Sequence, residues 1–309
     1  MEKIDKIAVL YGGSSSEREI SIQSGEGVYK SIIELGYIAD LIEINDLEEL
    51  SELRVYDFIF IALHGFEGEG GSLQKCLDDL NILYSGSGSK CCKNTWNKKL
   101  TKQILEQNNI NTPLWSELSK LPSSDSPDAK FSAKHFDKFR PFDAVFLKPQ
   151  EDGSSIDIFK VTNEESNSNA IKACSNPNRG FIYEEYIEGK EFTVTIVDDK
   201  CFPPIEIISK NEFYDYDAKY LSDKTILEEA KLTRNELIEI NKTATDAFKA
   251  LNCDGWARVD LIQGSDGKFY VIEINTVPGM TSHSCVPKSG SFLGLSYNEV
   301  VKKIIDASF

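Results

Sequence analysis

In this 309-residue chain the stretch from Gly255 to Asn275 most restricts the possible fold. The apolar-polar runs Trp256-Ala257-Arg258-Val259-Asp260-Leu261-Ile262 and Phe269-Tyr270-Val271-Ile272-Glu273-Ile274-Asn275 flank Gly264-Ser265-Asp266-Gly267, the pattern of a β-hairpin. Side chains alternate across a strand, so Arg258 and Asp260 share one face and Glu273 and Asn275 share one face. Val259, Leu261, Ile272 and Ile274 then point the other way into apolar packing. With Gln263 opposite Lys268, Arg258 falls opposite Glu273 and Asp260 lies diagonal to it. Two carboxylates, an amide oxygen and a guanidinium converge. Hard oxygens of this kind suit Mg²⁺, which takes carboxylates together with nucleotide phosphates, and the arginine can stabilise developing negative charge. On spacing alone the commoner reading is a surface hairpin whose Arg-Asp-Glu set is an ion-pair lattice.

The rest of the chain reads as mixed α/β. Ile7 to Leu10 is a short apolar strand that runs into Gly12-Gly13-Ser14-Ser15-Ser16, after which Ile20, Ser24, Val28, Ile32 and Leu35 recur at helical spacing. Strands at Tyr37–Ile44, Asp57–Leu63 and Ile82–Tyr84 complete a small domain with a largely parallel sheet, ending near residue 95. A helix is expected from Trp96 to Gln107 and a strand at Leu114-Trp115, followed by an exposed Ser/Pro/Asp-rich loop over Ser119 to Lys130 and a strand at Ala144–Lys148. Strands at Phe181–Tyr186, Phe192–Val197 and Phe202–Ile208 precede a tyrosine-rich loop near 209–224. Thr233-x-x-Glu236 is a capping box that opens a helix carrying Leu237, Ile240, Ala244, Ala247, Phe248 and Leu251 on one face.

Charge narrows the partners. With 34 basic against 50 acidic residues the net charge is −16, and no basic run offers a footprint for nucleic acid or an anionic membrane. An anionic substrate must be held by locally placed lysines and arginines. Met1-Glu2-Lys3-Ile4-Asp5-Lys6 has no apolar signal region, and the apolar Phe58–Leu63 is too short to span a bilayer, so a cytoplasmic protein is expected. Seven cysteines without C-x-x-C spacing fit free thiols.

Other local motifs are individually weak. His64-Gly65-Phe66-Glu67-Gly68-Glu69-Gly70-Gly71 follows a buried strand, where glycines let a ligand approach the backbone, although a histidine in this place is more often structural. Lys148-Pro149-x-x-x-Gly153-Ser154-Ser155 sets a lysine before a small-residue loop. That is a phosphate grip without Walker A spacing, or a solvated lysine beside a plain loop. Asn275 to Ser284 offers hydroxyls and backbone N–H groups after the acidic strand, the material of an anion hole.

In order and over nearly the whole length, these blocks resemble the D-alanine:D-alanine ligase family of ATP-grasp enzymes. The matching runs are Gly12 to Ser21, His64-Gly65-x-x-Gly68-Glu69, Lys148-Pro149 to Ser155, Phe213-Tyr214-Asp215-Tyr216-Asp217-Ala218-Lys219-Tyr220, and Arg258-x-Asp260 to Ser284. The resemblance implies an ATP-grasp fold, α/β at the N-terminus and α+β in the C-terminal part. It divides the chain into an N-terminal substrate domain (1–95), a central subdomain (96–180) and a C-terminal domain (181–309) with a catalytic lid near 209–224. It also implies that ATP phosphorylates the carboxylate of one D-alanine and that the amine of a second attacks the acyl phosphate, giving D-alanyl-D-alanine for peptidoglycan precursors.

Carried over by motif, Glu17 receives the first ammonium, with Ser154 and Tyr220 hydrogen-bonded around it, and His64 lies by the second D-alanine. Lys98 and Lys148 match the nucleotide lysines, Glu184, Glu185, Tyr186 and Ile187 the adenine slot, and Glu191 the ribose contact, while Lys219 reaches the γ-phosphate. Asp260, Glu273 and Asn275 match the ligands of two Mg²⁺ (or Mn²⁺) ions. Arg258 and the N–H of Gly279 form the oxyanion hole, and Ser284 with the backbone of residue 285 holds the second carboxylate. The family usually forms homodimers. Four places depart from its pattern: Trp96-Asn97 stands for Met-Asp, Gly70 for Asp, Asp157 for a Gly after the Ser-Ser-apolar run, and Cys285 for Leu. An acidic Asp157 pointing inward would weaken nucleotide binding. Rival readings are a ligase taking D-lactate or D-serine second, another carboxylate-amine ligase, or a nucleotide-binding regulator without turnover. Tyr220 favours the dipeptide enzyme, and the complete Arg258, Asp260, Glu273 and Asn275 set favours turnover.

Overall fold

A strand with apolar residues on both faces must be covered on both sides, and Lys6–Tyr11 (β1) is such a strand, with Ile7, Ala8, Val9 and Leu10 all fully buried. The computed structural model of the chain describes residues 4–46, 48–121, 143–154, 156–209 and 225–309. Lys219 and Tyr220 of the expected lid lie outside these residues. After β1 come Arg18–Glu34 (α1), Ile38–Glu43 (β2), Phe58–Ile61 (β3), Phe66–Glu69 (α2), Ser72–Leu80 (α3) and Leu83–Tyr84 (β4). The four strands form one parallel sheet in the order β2-β1-β3-β4, as the sequence predicts. Small residues let α1 sit close to it: a Cβ on Gly25 would stand 2.6 Å from that of Tyr11.

The helix expected over Trp96 to Gln107 is Lys98–Gln107 (α5), and a further helix, Ser89–Trp96 (α4), precedes it. Asn97 breaks them with extended backbone, and its side chain caps α5 by accepting from the Leu100 N–H at 3.0 Å. A second sheet, order β5-β8-β6-β7, contains Trp115–Leu118 (β5), Val145–Pro149 (β6), Phe159–Val161 (β7) and Phe181–Glu185 (β8). Glu164–Ala173 (α6) covers it through Ala170 and Ile171.

The third sheet takes Lys190–Val197 (β9), Lys200–Cys201 (β10), Ile205–Ile208 (β11), Ile226–Glu229 (β12), Trp256–Gln263 (β13) and Phe269–Asn275 (β14). Its order is β12-β11-β9-β13-β14, with β10 paired to β9. The strand expected over Phe202–Ile208 begins only at Ile205, since Pro203 and Pro204 have no N–H to give to a ladder. Arg234–Ala250 (α7) lies on this sheet with Ile240, Ala244, Ala247 and Phe248 against Val194, Val259 and Val271. The last helices, Cys285–Phe292 (α8) and Tyr297–Asp306 (α9), return to the N-terminal sheet, where Val286, Val300 and Ile304 join Ile7, Val9 and Phe58 in one core.

The hairpin register differs from the expected one. Arg258 pairs with Asn275, Asp260 with Glu273 and Gln263 with Phe269, with an irregularity after Asp260 where Leu261 meets Val271. One extra residue on β14 is thereby accommodated as a bulge. Ile272 consequently shares the outward face with Glu273 instead of pointing into the core, which Val271 and Ile274 fill.

The capping box at the start of α7 is formed: the Thr233 N–H donates to the Glu236 carboxylate at 2.8 Å and the Glu236 N–H to the Thr233 hydroxyl at 3.4 Å. Thr233→Ala is expected to lower stability by about 1 kcal/mol, read as a lower urea midpoint at unchanged slope.

Candidate active site

The outward face of β13 and β14, the loop after β6 and the turns after β1 and β3 meet at two neighbouring cavities. The smaller is polar and is lined by Glu17, His64, Glu69, Arg258, Asn275 and Gly279 among others. The larger lies between the second and third sheets and is more apolar, with Phe146, Ile156, Ile158, Tyr186, Ile187, Ile262 and Ile272 beside Lys148, Glu184, Glu185, Glu191 and Asp260. Lys98, Asp152, Gly153, Ser154 and Glu273 line both. These five residues are a common wall.

Asp260 is buried and receives four donors. Arg258 binds it in fork fashion (Nε to Oδ1 2.9 Å, Nη2 to Oδ2 2.8 Å), the Asn275 amide donates at 3.0 Å and the Thr193 hydroxyl at 2.6 Å. The corrected register sets Glu273 directly across from Asp260 on the neighbouring strand. Among the described residues no cluster of three His, Cys, Asp or Glu side chains forms a metal cage. Two carboxylates and an amide oxygen fit a hard cation that completes its coordination with phosphate oxygens and water.

His64 is held on both ring nitrogens. Nδ1 lies 2.9 Å from the Val277 carbonyl oxygen, which can only accept, so Nδ1 carries the proton. Nε2, 3.3 Å from the Ser24 hydroxyl, then accepts. Burial lowers its pKa, so the ring is neutral. Because the same hydroxyl accepts the Met280 N–H at 3.0 Å, His64 and Ser24 together anchor the 277–280 turn and hence Gly279.

The first glycine loop is filled by the protein itself. Gly12 and Gly13 have φ of +93° and +83°, and a Cβ on Gly13 would stand 2.2 Å from a Glu67 carboxylate oxygen. That carboxylate accepts from the Ser14 N–H and hydroxyl at 2.7 and 2.8 Å. The loop ends at Glu17, whose Oε2 would lie 3.1 Å from a Cβ on Gly153. Next to it, Ser154 is buried, and its hydroxyl has no hydrogen-bond partner among the described residues.

Lys98 opens α5 and donates from Nζ to the Asp152 carbonyl oxygen at 2.6 Å, whereas Lys99 pairs with Glu117 at the surface. Glu184, on the larger cavity, is buried between Lys148 and Lys102. Burial pushes its carboxyl up, but the two lysines hold it below the ordinary range. Lys102 donates to the Thr112 hydroxyl at 2.8 Å, which donates to the Val271 carbonyl oxygen at 2.8 Å, linking the second sheet to the third. Glu185 and Tyr186 form the edge of the same cavity, with the Tyr186 ring edge-on to Phe146 at 5.6 Å and under the Lys160 ammonium at 4.0 Å. Ser284 lines neither cavity. Its hydroxyl accepts from the Thr281 N–H at 3.0 Å and would stand 2.8 Å from a Cβ on Gly279, just behind the smaller cavity.

Sequence reasoning missed Lys102, Thr193 and the role of Glu69. For Lys102 the signal was available: it shares the buried side of α5 with Thr101 and Leu105. Glu69 is half-buried on the wall of the smaller cavity, and its pKa is pushed up to about 8 by loss of solvent first and by the Glu17 charge second. A carboxyl raised in the folded state and ordinary in the unfolded one keeps a proton that the unfolded chain loses. Its contribution to stability is therefore full below the unfolded value, about 4.5, and falls as pH rises through about 8. Glu69→Gln is expected to flatten the decline in melting temperature between about pH 4.5 and 8; parallel pH profiles of the two proteins would contradict this.

The profile described as D-ala D-ala ligase C-terminus matches residues 104–306. The D-alanine--D-alanine ligase of Haemophilus ducreyi is 36% identical over 310 residues, covering 99% of each chain. That of a Marinomonas species is 36% identical over 308 residues, covering 96% of this chain and 94% of its own. Among solved structures, the D-alanine--D-alanine ligase of Bacillus anthracis complexed with ATP superposes with a TM-score of 0.84 at 31% identity, covering 98% of this chain and 97% of its own. The likeness to these ATP-grasp enzymes in sequence and in fold runs over nearly the whole length, and the chain belongs to the D-alanine:D-alanine ligase family.

Proposed function

We propose that the protein joins two D-alanines at the expense of ATP, giving D-alanyl-D-alanine, ADP and phosphate for peptidoglycan precursors. The observation that carries this reading is the wall common to the two cavities: a phosphoryl group leaving a nucleotide in the larger meets a carboxylate in the smaller across Lys98, Asp152, Gly153, Ser154 and Glu273. The adenine lies on the 184–187 edge, with Glu191 on the ribose and Lys98 and Lys148 on the phosphates. Asp260, Glu273 and Asn275 would hold Mg²⁺, which would supply charge neutralisation for the phosphoryl transfer. Lys219 of the proposed lid completes the phosphate contacts.

In the smaller cavity Glu17 takes the ammonium of the first D-alanine, with Ser154 and Tyr220 beside it. Its carboxylate oxygen takes the γ-phosphoryl group, and the acyl phosphate replaces a poor leaving group by a good one. The second D-alanine lies near His64, with its carboxylate toward Ser284 and the Cys285 backbone. Its amine attacks the acyl carbon, Arg258 and the Gly279 N–H stabilise the tetrahedral oxyanion, and phosphate leaves as the amide forms. The three proposed domains (1–95, 96–180 and 181–309) all contribute to this site. No described helix is long and apolar enough to cross a membrane, and a cytoplasmic homodimer is the form proposed.

Purified protein with ATP and Mg²⁺ is expected to release phosphate in response to D-alanine and to form the dipeptide. D-serine and D-lactate serve as comparison second substrates. Equal turnover with L-alanine, or none with D-alanine in folded protein, would reject the reading. Glu273→Gln is expected to fold normally and to lose about two orders of magnitude in turnover at ordinary Mg²⁺, since one charge and one metal contact go together. Near-normal turnover would remove Glu273 from the metal set.

A further inference from the structure

The loop that joins β6 to β7 forms part of the wall between the cavities and carries Ser154, yet its backbone is unfavourable by itself. Ser154 and Asp157 both have φ of +53°, in the left-handed region that a side chain rarely adopts. Asp157 stands where the family usually has glycine, which would adopt that conformation freely. Something outside the loop must hold it.

Arg179, in the turn before β8, makes two ion pairs: Nη1 with Asp152 and Nη2 with Asp157. Asp157 also accepts the Ser175 N–H at 2.9 Å and the Ser175 hydroxyl at 2.6 Å. Its side chain is only 7% exposed, and that of Arg179 is 21% exposed. The guanidinium also faces the Phe181 ring, 5.6 Å from its centre. Asp157 therefore points away from the larger cavity, whereas its neighbours Ile156 and Ile158 line it. One planar guanidinium ties down the loop on both sides of Gly153 and Ser154, and Lys98 holds the Asp152 carbonyl from the other direction.

We propose that Arg179 is a positioning residue for the nucleotide: it clasps Asp152 and Asp157 and so presets Asp152–Ser154 and Ile156–Asp157 in the shape that receives the triphosphate of ATP. Asp157 then fills the usual glycine's place as the anchor of the clasp, with its charge directed at Arg179 instead of at the phosphates. A preset loop spends less binding energy on ordering when ATP enters. Loss of one charge-assisted anchor on each side corresponds to about a tenfold weaker nucleotide grip. The proposal rests on the reading of the larger cavity as the ATP site.

The test is ATP–Mg²⁺ affinity by calorimetry without any amino acid, together with KM for ATP and kcat in the phosphate assay. Arg179→Ala is expected to weaken ATP binding and raise its KM about tenfold while KM for D-alanine changes less than about twofold. Arg179→Lys, which can reach one aspartate but not both in a fork, should fall between. Asp157→Asn keeps a residue tolerant of positive φ and removes only the charge. It should weaken ATP binding as well, and add little in the Arg179→Ala background. If Arg179→Ala fails to fold, Asp157→Asn carries the test by itself. Unchanged ATP affinity in the folded variants, or equal losses for ATP and D-alanine, would overturn the clasp. Wild-type protein that binds ATP but ignores D-alanine would overturn the assigned reaction and leave the affinity comparison intact.

Discussion

A carboxylate taken out of water must be met by donors on every side, and Asp260 imposes this condition on the centre of the molecule. Its four hydrogen bonds come from Arg258, Asn275 and Thr193, that is, from β13 itself and from the strands on either side of it. The pairings that satisfy one carboxylate therefore also fix β9, β13 and β14 side by side. They aim the Arg258 guanidinium along the smaller cavity and leave Glu273 opposite Asp260. A one-residue slip would send these side chains to the core side of the sheet, where Val259 and Ile274 are packed.

A second buried charge set joins the other halves of the site. Glu184 lies between Lys102 and Lys148, and Lys102 continues through Thr112 to the backbone of β14. Removing one member would strand a charge in the interior, which costs about 3–5 kcal/mol, so the two sheets that enclose the larger cavity are bound to keep their relation. Against this rigid floor the loop carrying Ser154 is the irregular part, held by Lys98 below and by side chains behind it. The N-terminal sheet supplies the third side, with His64 and Ser24 fixing the turn that presents Gly279.

Much of this was legible in the residues. Period-two alternation in 256–275 determined which side chains of β13 leave the core, and Thr233-x-x-Glu236 marked where α7 begins because a cap is a local hydrogen-bond pattern. The family blocks gave the order of Glu17, Lys148, Arg258 and Asp260 along the chain. Local patterns were less informative at element ends: Asn97 separates the expected helix from one that precedes it, and Pro203-Pro204 delay the start of a strand to Ile205.

What the sequence by itself determined, then, was the set of elements and the chemistry available on their faces, since both follow from interactions between residues close in the chain. Only the tertiary structure decided the β14 bulge that turns Ile272 toward the larger cavity, the burial of Glu69 that raises its pKa, the burial of Lys102 against Glu184, and the direction of Asp157. Each of these depends on which distant group fills the space around a side chain. Arg179 lies 22 residues from Asp157 and Glu184 lies 36 from Lys148. Such contacts exist only once the sheets have packed, because burial and charge pairing are properties of an enclosed volume that no stretch of chain has alone.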